Sequence, residues 1–142
     1  MKNLFLAVLS VFIMTSCKTM QKNTQSASEL FTEDNQWEMT LFQGQTIEEA
    51  GFNQKTPHIT INKAESKIGG NSGCNSFGGN ITIKEDAIEF GPLMSTKMYC
   101  DGVPEVEFFQ ILTGEVVYSI KGKTLLFTKE GKTVMEFQLK EN

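Results

Sequence analysis

The chain has 142 residues, 39% hydrophobic and 21% charged, with 13 basic against 17 acidic residues and a net charge of −4. That length supports one domain with a hydrophobic core. A mildly acidic chain without arginine lacks the side chain that grips phosphate or carboxylate in bidentate fashion, so no nucleic-acid partner is expected.

Residues 1–16 read as a lipoprotein signal peptide. Lys2 supplies a short positive region, and residues 4–14 are apolar except for Ser10. An apolar stretch of eleven residues, interrupted only by Ser10, suits an export signal and falls short of the roughly 20 needed to span a bilayer. The run Ile13-Met14-Thr15-Ser16-Cys17 resembles a bacterial lipobox, which implies a diacylglycerol on Cys17 and a membrane anchor. Lys18 follows Cys17, in the place where an aspartate retains some lipoproteins at the inner membrane. The expected location is therefore the outer membrane, on its periplasmic face or at the surface. Residues 17–35 are mostly polar and without period, and are expected to be a lipidated cysteine followed by a flexible tether.

Strand signals dominate from Gln36 onward. Trp37, Met39 and Leu41 alternate with Glu38 and Thr40. Ile59 and Ile61 alternate with polar residues, and residues 67–71 read as a further strand. Residues 80–84 and 87–90 flank a turn at Glu85-Asp86, and 116–120, 124–128 and 134–139 follow around two glycine-bearing turns. Residues 46–51 read as one helical turn. Thr96 and Met98 alternate with Lys97 and Tyr99, so this segment is expected to pair along the sheet.

One segment departs from this pattern. Residues 103–114 begin with Val-Pro, carry Glu105 and Glu107 in the first turn, and end at Gly114, which are helix start and stop signals. Val106, Phe109 and Leu112, together with Phe108, form the apolar stripe. The expected fold is mainly β: an antiparallel meander or cracked β-barrel of seven or eight strands with one amphipathic α-helix packed against it.

Besides Cys17, two cysteines remain, Cys74 and Cys100. In an exported chain an even count favours a disulfide, with two packed free thiols as the alternative. A single histidine, His58, and the absence of Cys-x-x-Cys leave little basis for a metal site or a thiol nucleophile, and no cofactor is expected. The glycine-rich stretch at 69–79 lacks the Gly-Lys-Ser/Thr ending of a phosphate-binding loop; it reads as irregular strand structure in which Asn75 satisfies backbone groups and Phe77 packs inward. Met39, Met94, Met98 and Met135 are scattered and read as core filling.

Gly73-Cys74-Asn75-Ser76-Phe77-Gly78-Gly79, then Thr96, Met98 and Cys100, then Glu105, together with Trp37 near the domain start, resemble the pattern of the META (HslJ-like) domain family. The resemblance covers essentially residues 36–142. It implies a small envelope protein with a meander or cracked-barrel fold, linked in some members to stress. No residue set suggests catalysis. The expected function is a non-enzymatic lipoprotein that binds an envelope protein or an apolar ligand, with Val106, Phe109 and Leu112 either lining a groove between sheet and helix or filling the core. An alternative is an inhibitor of a cell-wall lytic enzyme of the lysozyme type, with residues 71–80 as its inserting loop.

Overall fold

A computed structural model describes residues 27–140; the signal peptide, Cys17 and the first part of the expected tether lie outside the described residues. After a 3₁₀ turn at Ala27–Leu30, the chain forms β1 (Gln36–Phe42), β2 (Gln45–Thr46), β3 (His58–Asn62), β4 (Lys67–Asn71), β5 (Ser76–Ile83) and β6 (Ala87–Ser95). Helix α1 (Glu105–Ile111) follows, and then β7 (Gly114–Lys121), β8 (Thr124–Lys129) and β9 (Lys132–Leu139). Every pairing is antiparallel, and from β3 to β9 each strand pairs with its sequence neighbour. β1 lies between β3 and β9, and its pairing with β9 closes the sheet into a barrel.

Among the described residues the strand count is nine, against the seven or eight expected. The extra strand is β2, two residues that pair with Leu41 and Phe42 beyond the point where β3 stops. Two residues carry no readable alternation. The turn after β2 is one hydrogen-bonded helical turn: Ala50 N–H donates to Thr46 C=O at 3.0 Å. Its start is capped reciprocally, with Thr46 N–H donating to Glu49 Oε2 at 3.0 Å and Glu49 N–H donating to Thr46 Oγ1 at 3.3 Å.

Period-two alternation fills the barrel. Ile59 and Ile61 of β3, Leu125 and Phe127 of β8, and Met135 and Phe137 of β9 are fully buried. In β1, Trp37 and Met39 point inward, but a bulge between Met39 and Leu41 shifts the phase, so Phe42 rather than Leu41 is buried. Gly70 permits the close approach of β3 and β4, since a Cβ there would lie 2.1 Å from the His58 carbonyl oxygen.

The tether expectation fails for residues 27–35. Phe31 is buried, with its ring 6.2 Å from Trp37 and 5.3 Å from Tyr118, and its carbonyl accepts the Lys63 N–H at 3.0 Å. This segment plugs one end of the barrel, here termed the entry end. Lys140 N–H donates to Gln36 C=O, so the chain also leaves at the entry end. Helix α1 covers the opposite end, where Phe108 and Leu112 are buried.

Candidate functional site at the helix end of the barrel

The β4–β5 turn holds most of the buried polar side chains. Asn71, Ser72 and Asn75 are all buried. Asn71 Oδ1 accepts the Gly73 N–H at 2.9 Å, and Gly73 adopts φ +92°, where a Cβ would meet the Phe52 ring at 2.6 Å. Ser72 and Asn75 close the turn: Ser72 N–H donates to Asn75 C=O at 2.9 Å, and Asn75 N–H donates to Ser72 Oγ at 3.0 Å.

Asn75 then organises the neighbouring loop. Its Oδ1 accepts from Met98 N–H and from Thr96 Oγ1, both at 2.7 Å. Its Nδ2 donates to Met98 C=O at 3.0 Å and to Glu105 Oε2 at 2.9 Å. All four hydrogen-bonding positions of the carboxamide are filled. The expected strand at 96–99 is absent, because β6 ends at Ser95. The Asn75 side chain pairs with Met98 as a neighbouring backbone would, which holds the segment extended without a ladder.

Glu105, the first residue of α1, turns its carboxylate back to the β4–β5 turn. It accepts from Ser72 Oγ, Asn75 N–H and Asn75 Nδ2. A disulfide joins Cys74 to Cys100 across 26 residues, with the Cα atoms 5.9 Å apart. Turn, loop and helix are thus tied by one covalent bond and one polar network. Closing a loop of that length stabilises by about 3.5 kcal/mol in the chain-entropy picture.

The motif residues Gly73, Asn75, Thr96, Met98 and Glu105 come together here. Phe77 lies beneath them, with its ring 5.6 Å from Phe108 and 5.4 Å from Phe109. Gly79 sits at a bulge against β6, where a Cβ would lie 2.6 Å from Leu93 Cδ2. Trp37 belongs to the barrel interior, and its indole N–H has no hydrogen-bond partner among the described residues. Ser72, at the hub of the network, is a residue that sequence reasoning missed; its only signal was its place inside the glycine-rich run.

Helix α1 is rotated relative to the expected stripe. Phe108, Ile111 and Leu112 are buried, Phe109 is half-buried, and Val106 is 68% exposed. Two of the four methionines read as core are also outside: Met94 is 79% and Met98 60% exposed, and Tyr99 beside them is 88% exposed. Two open grooves flank the helix. One, of about 530 Å³, runs between residues 90–95 of β6 and Phe109, Leu112 and Thr113, with Lys97 at its edge. The other, of about 310 Å³, lies under Met98, Tyr99, Val106 and Phe109. Residues 71–75, the first half of the loop assigned to the inhibitor alternative, are buried, and the rest of that loop lies in β5.

His58 on β3 is half-buried; burial, reinforced by nearby Lys55, pushes its imidazole below the usual histidine value. Among the described residues, no group of three or more His, Cys, Asp or Glu side chains is placed to hold a metal ion. Among the same residues, no helix is long and apolar enough to cross a membrane.

Two solved structures share the fold. One NMR structure is 16% identical, with a TM-score of 0.60, covering 76% of this chain and 91% of its own. A second NMR structure, of a protein from Burkholderia xenovorans, is also 16% identical with a TM-score of 0.60, covering 82% of this chain and 88% of its own. No curated protein matches. The META domain profile matches residues 29–142, which takes in Phe31, the closed barrel and the whole helix-end network. The chain belongs to the META domain family.

Proposed function

We propose that this META domain is a non-enzymatic binding module of the cell envelope, anchored through a lipidated Cys17, probing its surroundings with the helix end. It takes a protein or an apolar ligand in the groove beside α1, in a stress-related setting and at the outer membrane. The observation that carries this reading is the pair of open grooves beside α1, one of about 530 Å³ and one of about 310 Å³, the second lined by the exposed apolar side chains of Met98, Tyr99 and Val106. Apolar side chains exposed together mark interaction surfaces. A non-enzymatic role is supported by how the motif's reactive groups are engaged. Both thiols are in the disulfide, Glu105 accepts three hydrogen bonds, and Ser72 is buried.

The test is recovery of the intact protein from native membranes, with mass spectrometry of both protein and lipid. The expected result is a stoichiometric partner or lipid that is lost in V106D or K97E, two exposed positions where substitution spares the fold. Metabolic labelling with palmitate is expected to mark the parent and not C17S, and C17S is expected to leave the membrane fraction. Recovery of nothing beyond the protein itself, with the exposed variants behaving as the parent, would remove the binding reading.

A further inference from the structure

Strand β6 has nine residues, but only Ile88, Glu89 and Phe90 are paired on both sides. Residues 87–90 pair with β7, which begins at Gly114 opposite Phe90. Beyond that point Leu93, Met94 and Ser95 remain paired with Gly79, Gly78 and Phe77 of β5. On their other side no strand is present among the described residues. The chain bypasses this stretch through the 96–104 loop and α1, and the larger groove lies between the bare strand edge and the helix.

The orientation of the edge follows from the ladder. In an antiparallel pair, successive residues direct their backbone N–H and C=O alternately to the two sides. Thr96 N–H donates to Ser76 C=O at 3.0 Å, on the β5 side. Counting back by one and three residues puts the N–H and C=O of Ser95 and Leu93 toward the groove. Leu93 and Ser95 are therefore backbone donors of this edge.

We infer that the groove receives an extended segment of a partner polypeptide, added as a strand to the edge of β6 at residues 91–95. This rests on the reading that the groove is the binding site, and it specifies the occupant. Backbone donors and acceptors at strand spacing are matched by another extended backbone. An acyl chain would leave them unsatisfied. A second copy is a poor fit, because α1 stands across the groove from this edge in every copy. The protein's own terminal segments join the structure at the opposite end of the barrel, beside Lys63 and Gln36.

The lining describes the segment. Phe90, Phe109 and Leu112 take apolar side chains at alternate positions, and Lys97 is the charged side chain of the groove. The fitting sequence is about five residues long, with alternating apolar residues and a carboxylate, from an acidic side chain or a free C-terminus, at the Lys97 end.

The experiment is selection of a random heptapeptide library on the intact, detergent-solubilised protein, followed by synthesis of the enriched peptide. The expected peptide alternates apolar residues and ends in a carboxylate. Methylation of its alternate backbone nitrogens is expected to weaken binding about tenfold per lost hydrogen bond. K97E is expected to weaken it by a similar factor, and the Leu93 and Ser95 amides are expected to exchange more slowly in the complex. A peptide that binds equally well when N-methylated, or leaves those two amides unprotected, overturns strand addition while the groove reading stands. No enriched peptide, with palmitate instead shifting the Phe109 and Leu112 signals, does the same. If neither peptide nor palmitate binds, the inference and the groove reading both fall.

Discussion

Asn75 uses both amide hydrogens and both acceptor directions of its side chain, and that determines what its removal does. N75A leaves the Met98 N–H, the Met98 C=O and the Thr96 hydroxyl without their partner. Thr96 and Met98 are exposed, so water replaces part of what is lost. The expected destabilisation is about 2–3 kcal/mol, read from urea unfolding. N75D is expected to cost more at neutral pH, because it sets a second carboxylate where Nδ2 now lies 2.9 Å from Glu105 Oε2. That excess is expected to shrink at acid pH, as the pair binds a proton. His58 gives a second pH signature. Its folded value is below 6.5, so on acidification the unfolded chain binds the proton first. Its contribution is full above pH 6.5 and is lost as pH falls through the folded value. The parent is therefore expected to lose more stability than H58N between pH 7.5 and pH 5, and NMR titration of this lone imidazole is expected to show the lowered midpoint.

At the scale of elements, α1 shows why periodicity stops short of a face. In residues 105–112, Val106, Phe108, Phe109, Ile111 and Leu112 are apolar, so the stripe wraps most of the helix and any of several rotations buries a good set. The Glu105 carboxylate, held by Ser72 and Asn75, selects the rotation. It turns Phe108, Ile111 and Leu112 inward and leaves Val106 outside. F108A is expected to cost about 3–5 kcal/mol, as a large buried ring removed from a filled core. V106A is expected to stay within about 0.5 kcal/mol. Equal costs at the two positions in denaturant unfolding would show that the helix sits in a different phase. The 96–99 segment teaches a related lesson. Its alternation is real, but beyond the bond from Thr96 N–H to Ser76 C=O its partner is the Asn75 side chain, and alternation does not say whether the neighbour is a strand.

For the whole molecule, the barrel is sealed from both ends by segments outside its wall. Phe31 fills the entry end against Trp37 and Tyr118. F31A is expected to lose about 3–5 kcal/mol, and a chain beginning at Gln36 is expected to unfold at lower denaturant than one beginning at Ala27. Equal midpoints for those two chains would return residues 27–35 to the role of tether. The described N-terminal segment enters at one end of the barrel, and the disulfide-bound loop and helix lie at the other.

Local chemistry was legible in the sequence alone. Period-two alternation marked most of the strands, proline, acids and glycine bounded the helix, and the paired cysteines pointed to the bond between Cys74 and Cys100. The motif around Asn75, Thr96, Met98 and Glu105 also marked the family. Phe31 escaped notice because one aromatic in a polar run has no period. Whether Val106 fills the core or lines a groove was left open because a nearly all-apolar short helix has no preferred face; it lines the smaller groove. The tertiary structure decided the β1–β9 closure, the plug at Phe31, the rotation of α1 and the bare edge of β6. Each depends on contacts between residues far apart in the chain, whereas alternation and capping act within a few residues of one another.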